Sequence, residues 1–142
     1  MQHMTDGYFC GSVLVYEQLD ISREFLLKID YDYAAQKPKI TYSTRGGMPL
    51  SLVAKRYPDT IHEIFIDVNE GLNMQSLLKV AGDLGVVNKQ SFLIFLIKNM
   101  YEAFIQRDAL RIEINPLIFA RDQKFYAANC QIKIDPDAIF RQ

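Results

Sequence analysis

The 142-residue sequence has no tryptophan and only two histidines, His3 and His62, so any histidine-based mechanism must use one of those two. His62 alternates with apolar neighbours in Ile61-His62-Glu63-Ile64, the setting of a structural strand histidine. Cysteine is equally scarce. Cys10 and Cys130 cannot build a disulfide framework and are not spaced as zinc ligands, which excludes structural zinc and points to a reducing compartment. Charge of one sign is also missing: 16 Lys and Arg against 17 Asp and Glu leave a net charge of -1. That field is too weak to hold a polyanion without a local patch, so nucleic acid is disfavoured as a partner. Long apolar runs are absent as well. The most apolar stretch, Phe92 to Ile97, stops at Lys98, far short of the roughly 20 residues that cross a bilayer, so no membrane span is expected. The N-terminal Met1 to Asp6 carries no targeting pattern, and the expectation is that any transit peptide has been removed.

What is present is ordinary globular material, 49% hydrophobic and 23% charged, in a length that suits one domain over residues 1–142. Val13 to Tyr16 reads as a short buried strand. Near-alternation from Arg23 to Tyr33 predicts a half-buried strand, Ala34 to Pro38 a turn, and Lys39 to Ser43 the returning strand of a hairpin. A short helix is expected from Pro49 to Arg56, an edge strand from Ile61 to Ile66, and helices over Asn73 to Asp83 and Asn88 to Arg107. In the last of these Leu93, Leu96, Ile97, Met100 and Phe104 recur at three and four residues, a stripe that packs on a sheet. Leu110 to Phe119 and Lys124 to Ile134 complete a second hairpin, turning at Ala120 to Gln123. Strands, then helices, then strands predict an α+β fold: a largely antiparallel sheet covered by helices.

Two features could carry chemistry. Gly46-Gly47 is a tight turn through which backbone can approach a neighbour closely. The C-terminal hairpin puts Glu113 and Asn115 on one face of a strand, with Asn129 and Gln131 alternating likewise on its partner. Such an oxygen-bearing face either coordinates a hard cation such as Mg²⁺, shared with substrate phosphates, or forms a satisfied polar network at a sheet edge.

Four ordered segments resemble the nucleotide-binding, ATP-grasp region of succinate-CoA ligase β subunits. They are Val13 to Glu24, Ser43-Thr44-Arg45-Gly46-Gly47, Glu113-Ile114-Asn115-Pro116-Leu117, and Asp135 to Gln142. The resemblance implies the second, C-terminal subdomain of an ATP-grasp fold. It also implies a reaction in which a nucleoside triphosphate, succinate and coenzyme A pass through a histidine phosphorylated on a partner α subunit. It implies cofactor-binding roles for Glu17 and Leu19, in the hinge that holds the base, and for Glu24 in the nucleotide site. The metal, Mg²⁺ bound with ATP or GTP, would be held at Asn115 and Asn129.

At position 129 the family has an aspartate in an Asp-Gly-Lys or Asp-Ala-Lys run, where this chain reads Asn129-Cys130-Gln131. The amide removes one negative ligand charge and Gln131 removes one positive charge. The glutamate four residues after the glycine pair is Ser51 here. The other subdomain would precede Met1 and the coenzyme A-ligase domain would follow Gln142, so the chain alone is not expected to be active. Two readings follow: the nucleotide-binding part of an acid-CoA ligase β subunit of the tricarboxylic acid cycle, or a degenerate stand-alone homologue serving as a structural or assembly subunit. An unrelated α+β binding module is a third, generic reading. The expected compartment is the mitochondrial matrix in a eukaryote and the cytoplasm otherwise.

Overall fold

Apolar residues at Phe25, Leu27 and Ile29 alternate with Glu24, Lys28 and Asp30, and this period of two makes the central strand of the sheet. In the computed structural model, which describes residues 4–5, 8–9, 12–13, 15 and 17–141, the elements run as follows. Strands β1 (Met4–Thr5) and β2 (Tyr8–Phe9) pair antiparallel as a small separate ribbon. Strands β3 (Ile21–Asp32) and β4 (Lys37–Ser43) form the first long hairpin, followed by helix α1 (Leu50–Arg56) and strand β5 (Ile61–Phe65). Helices α2 (Met74–Asp83) and α3 (Gln90–Gln106) come next. The chain closes with β6 (Ala109–Ala120), β7 (Phe125–Ala127), β8 (Cys130–Ile134) and a 3₁₀ turn over Pro136–Arg141.

The main sheet is six-stranded and antiparallel, in the order β5-β4-β3-β6-β7, with β8 also paired to β6. Its α+β character and antiparallel pairing are those expected from the sequence. One face carries Phe25, Leu27, Ile29, Tyr42, Ile112 and Ile114 into a core shared with Leu77, Val80, Leu93, Ile97, Met100 and Phe104 of α2 and α3. Of the predicted α3 stripe only Leu96 is incompletely buried, and it packs at the margin of that core. Asn73 caps α2, its side chain accepting from the Ser76 N–H at 2.8 Å.

Four local expectations are corrected. Val13 and Val15 lie outside any strand and are 77% and 85% exposed; Leu14 and Tyr16 lie outside the described residues. Pro38 belongs to β4 and not to the turn, because its missing N–H falls before the β5 ladder, which starts at Lys39. Pro49 caps α1 from outside and does not open it. The predicted strand Lys124 to Ile134 is divided into β7 and β8. Both halves keep one register on β6, Ile114 opposite Cys130 and Leu117 opposite Ala127, and the division falls where Pro116 has no N–H to give.

The same place carries a bulge. Between Phe25 opposite Leu117 and Leu27 opposite Ile114, the two residues Asn115 and Pro116 face the single Leu26. The bulge resets the alternation of β6, so Ile112 and Ile114 point into the core, and so do Leu117 and Phe119.

At the rim of α2, the buried Tyr42 hydroxyl donates to Asp83 Oδ2 at 2.5 Å, and Lys79 Nζ meets the same oxygen at 2.8 Å. Both bonds favour the carboxylate, and Asp83 is held below the ordinary value of 3.8. Burial and the Asp83 bond together raise the Tyr42 phenol. Because the Asp83 value is lowered on folding, its contribution is complete above the unfolded value and fades as pH falls below about 4. Tyr42→Phe should therefore cost about 1–2 kcal/mol in urea unfolding at pH 7 and less at pH 3. An equal cost at both values would show that the hydroxyl bond does not depend on the carboxylate.

Candidate functional site

The sheet face opposite the core is only partly covered, and its open part collects polar side chains. Cross-strand register sets Lys28, Glu113 and Gln131 in one row over β3, β6 and β8, and Asp30, Arg111 and Lys133 in the next. Lys28 Nζ pairs with Asp30 Oδ2 at 2.8 Å, with both side chains largely buried. Asn115 and Asn129 stand at the bulge.

Gly46-Gly47 organises this face. The Gly46 N–H donates to the Glu24 carbonyl at 3.0 Å, and a Cβ on Gly46 would run into the Phe25 backbone, 2.9 Å from its nitrogen. Gly47 has φ +77°, and a Cβ there would stand 3.0 Å from Glu24 Oε1. Its N–H donates to Asn115 Oδ1 at 2.9 Å, while Asn115 Nδ2 donates to the Met48 carbonyl at 2.9 Å and contacts Glu113 Oε1 at 3.4 Å. The turn is thus fixed to β3 through Glu24 and to β6 through Asn115. Asn115 and Asn129 are tied to each other as well: the Asn115 N–H donates to the Asn129 carbonyl at 2.9 Å, and Asn129 Nδ2 donates to the Asn115 carbonyl at 3.2 Å.

Around the turn lie hollows that share residues end to end. Leu19 lines a shallow one with Ile21; Glu17 is exposed nearby in the sequence, in the extended segment before β3. Ile21 also borders a cleft of about 460 Å³ holding Glu24, Thr44, Arg45 and Met48. Met48 in turn borders a third, of about 450 Å³, lined by Lys28, Gly47, Glu113, Asn115, Asn129 and Gln131. The fold therefore gathers Glu24, Asn115 and Asn129 around one turn and leaves Leu19 toward the other end of the track, while Glu17 lines none of these hollows. Sequence reasoning missed Lys28 and Arg111, whose signal was a cation facing the same side of the strand as the oxygen-bearing residues.

The oxygens of Glu113, Asn129 and Gln131 are hard donors of the kind Mg²⁺ takes. Among the described residues no three His, Cys, Asp or Glu side chains cluster as a metal site. Asn115 Oδ1 is already used by Gly47. One carboxylate among amides fits a magnesium ion that arrives with a nucleotide's phosphates, and supplies too little charge to hold the ion alone.

The described residues thus combine an antiparallel sheet, helices packed on one of its faces, and on the other a glycine turn over a polar track. The chain belongs to the ATP-grasp domain family, whose profile matches residues 1–119. It is 36% identical over 137 residues to the mitochondrial ADP-forming succinate-CoA ligase subunit beta of Neurospora crassa, covering 96% of this chain and 31% of that protein. It is 34% identical to the ADP-forming subunit beta of Leptospira biflexa over 91% of this chain and 33% of that protein. The mitochondrial GDP-forming subunit beta of Caenorhabditis elegans is 32% identical, over 99% of this chain and 34% of that one. The chain thus spans about a third of the length of the curated relatives it matches. Among solved structures, ATP citrate lyase from Methanothrix soehngenii in complex with citrate and coenzyme A shares the fold, with TM-score 0.65 at 18% identity over 99% of this chain and 31% of that one.

Proposed function

We propose that this chain is the C-terminal wall of the nucleotide cleft of an acid-CoA ligase β subunit. The observation that carries the reading is the Gly46-Gly47 turn, pinned between Glu24 and Asn115 at the middle of a continuous track. In this reading the base lies at Glu17 to Leu19, Glu24 faces the sugar and first phosphates, and the outer phosphates reach Glu113, Asn115 and Asn129. Glu113, Asn129 and Gln131 would hold a magnesium ion bound with those phosphates, which would supply charge neutralisation for phosphoryl transfer, and Lys28 adds a cation on the same cleft wall. ATP and GTP both suit the track, matching the ADP-forming and GDP-forming relatives. The acid would be succinate or a similar small dicarboxylate, and the partner an α subunit that carries the phosphorylated histidine. The compartment follows the host, the mitochondrial matrix in a eukaryote and the cytoplasm otherwise. The comparisons lend no support to a degenerate assembly subunit.

The test is a Mg²⁺-nucleotide titration of the chain, followed residue by residue by NMR. For one wall of a cleft, as proposed, the dissociation constant should be weaker than roughly 10 µM. The shifts should run through Leu19, Glu24, Gly47, Asn115 and Asn129, and shifts confined to α2 and α3 would overturn the assignment. Asn129→Asp restores a full ligand charge beside Asn115 and should tighten Mg²⁺-dependent binding by about 1–3 kcal/mol. Equal affinity in both proteins would remove residue 129 from the metal site.

A further inference from the structure

Beyond Lys28 the polar track does not end. Arg111 belongs both to the cleft that holds Asn115 and Asn129 and to a smaller hollow of about 190 Å³ with Asp30, Tyr31, Tyr33 and Lys133. In that hollow Arg111 and Lys133 sit directly opposite each other on β6 and β8, pointing to the same open face. Like charges in directly opposed positions of an antiparallel pair are destabilising. Among the described residues neither cation has an ion-pair partner within 4.0 Å. The one carboxylate on the hollow's wall, Asp30, has its charge engaged by Lys28 at 2.8 Å. Although Asp30 is the register partner of Arg111, its Oδ1 is buried and receives no hydrogen bond. Two cations without an ion-pair partner among the described residues therefore face solvent at the end of the track, with Tyr33 on the same wall and Glu113 the next carboxylate along the cleft.

We infer that Arg111 and Lys133 form an anion subsite for a small phosphate-type dianion, next to the outer-phosphate end of the nucleotide track. The inference rests on the track assignment only for its position, since the subsite itself is defined by the two cations. Arginine offers a planar fork that matches two oxygens of a phosphate, and lysine adds a point charge. Two adjacent cations match a dianion better than a monocarboxylate. The hollow is smaller than the roughly 300 Å³ at which sites for nucleotide-sized ligands begin, so it suits an isolated phosphate or phosphoryl group. In a ligase this is where a phosphoryl acceptor or the released phosphate would rest.

Inorganic phosphate is the probe, titrated into the 142-residue chain without nucleotide, at pH 7.5 and constant ionic strength balanced with chloride. Backbone amide signals of Arg111, Lys133 and Tyr33 should shift saturably, with half-saturation in the millimolar range. Arg111→Gln and Lys133→Gln should each weaken binding at least fivefold, and Lys124→Gln should leave it unchanged. Linear shifts, equal shifts with chloride, or saturation by succinate and not by phosphate would overturn the subsite. Melting of Arg111→Gln without phosphate decides whether the arginine is already committed. An unchanged or higher melting temperature is expected once the like-charge pair is gone, and a fall of several degrees would assign Arg111 to Asp30 and overturn the inference. Because nucleotide is left out, failure here leaves the Mg²⁺-nucleotide titration intact, and failure of that titration leaves phosphate binding to stand.

Discussion

Gly46→Ala is expected to lower stability in urea unfolding by roughly 3 kcal/mol and to abolish the nucleotide-induced shifts at Gly47 and Asn115. The cause is steric and local. Gly46 is buried, and the added Cβ would occupy the space of the Phe25 carbonyl group, which belongs to the central strand and cannot retreat without moving the core. Relief by lifting the turn would break the 3.0 Å bond from the Gly46 N–H to the Glu24 carbonyl. Gly47→Ala meets a different obstacle, a positive φ of +77° and a flexible carboxylate 3.0 Å away, and should cost only about 1–2 kcal/mol. The order of the two variants is the test. If Gly46→Ala proves the milder, the close approach of the turn to β3 is wrong.

Asn115→Ala should cost about 2–3 kcal/mol and loosen the turn without disturbing the helix-covered core. The substitution removes the acceptor for the Gly47 N–H and the donor for the Met48 carbonyl, and it leaves both backbone groups to find water. Asn115→Asp keeps an acceptor for Gly47, loses the donor to Met48, and puts a second carboxylate beside Glu113. It should be intermediate in stability near pH 7 and recover toward wild type in Mg²⁺, because the ion offsets the added charge. Circular dichroism together with urea unfolding reads the first effect, and unfolding repeated with and without Mg²⁺ reads the second. A loss below about 0.5 kcal/mol for Asn115→Ala would show that the turn stands without it.

Much of this was legible in the sequence, for reasons particular to each element. The β3 and α3 segments carry their own periodicity, so the placement of Leu27, Ile29, Leu93, Ile97 and Phe104 in one core follows from spacing alone. The shared face of Glu113, Asn115, Asn129 and Gln131 was equally readable, because a hairpin fixes both strands at once. The bond between Gly47 and Asn115 was not, since it joins positions 68 residues apart and no local pattern announces it. The bulge escaped for a related reason. Its effect, the shift of the inward set from Ile112 and Ile114 to Leu117 and Phe119, is a change of phase that simple alternation hides. Val13 and Val15 show the opposite failure, apolar residues that read as buried and stand exposed, as bulky residues often do on a surface that polar atoms cannot cover.

The Gly47 N–H gives this face a built-in reporter. Its proton is held by the Asn115 side-chain oxygen, the same atom expected to turn toward a cation, so the two demands compete for one group. In the free chain that amide should exchange slowly with deuterated solvent although Gly47 itself is exposed. A ligand that draws the oxygen away would release the proton and quicken its exchange, while the Gly46 amide, bonded to backbone on β3, keeps its rate. Two neighbouring amides would then register occupancy as a difference in clock speed, with no label and no chemistry required.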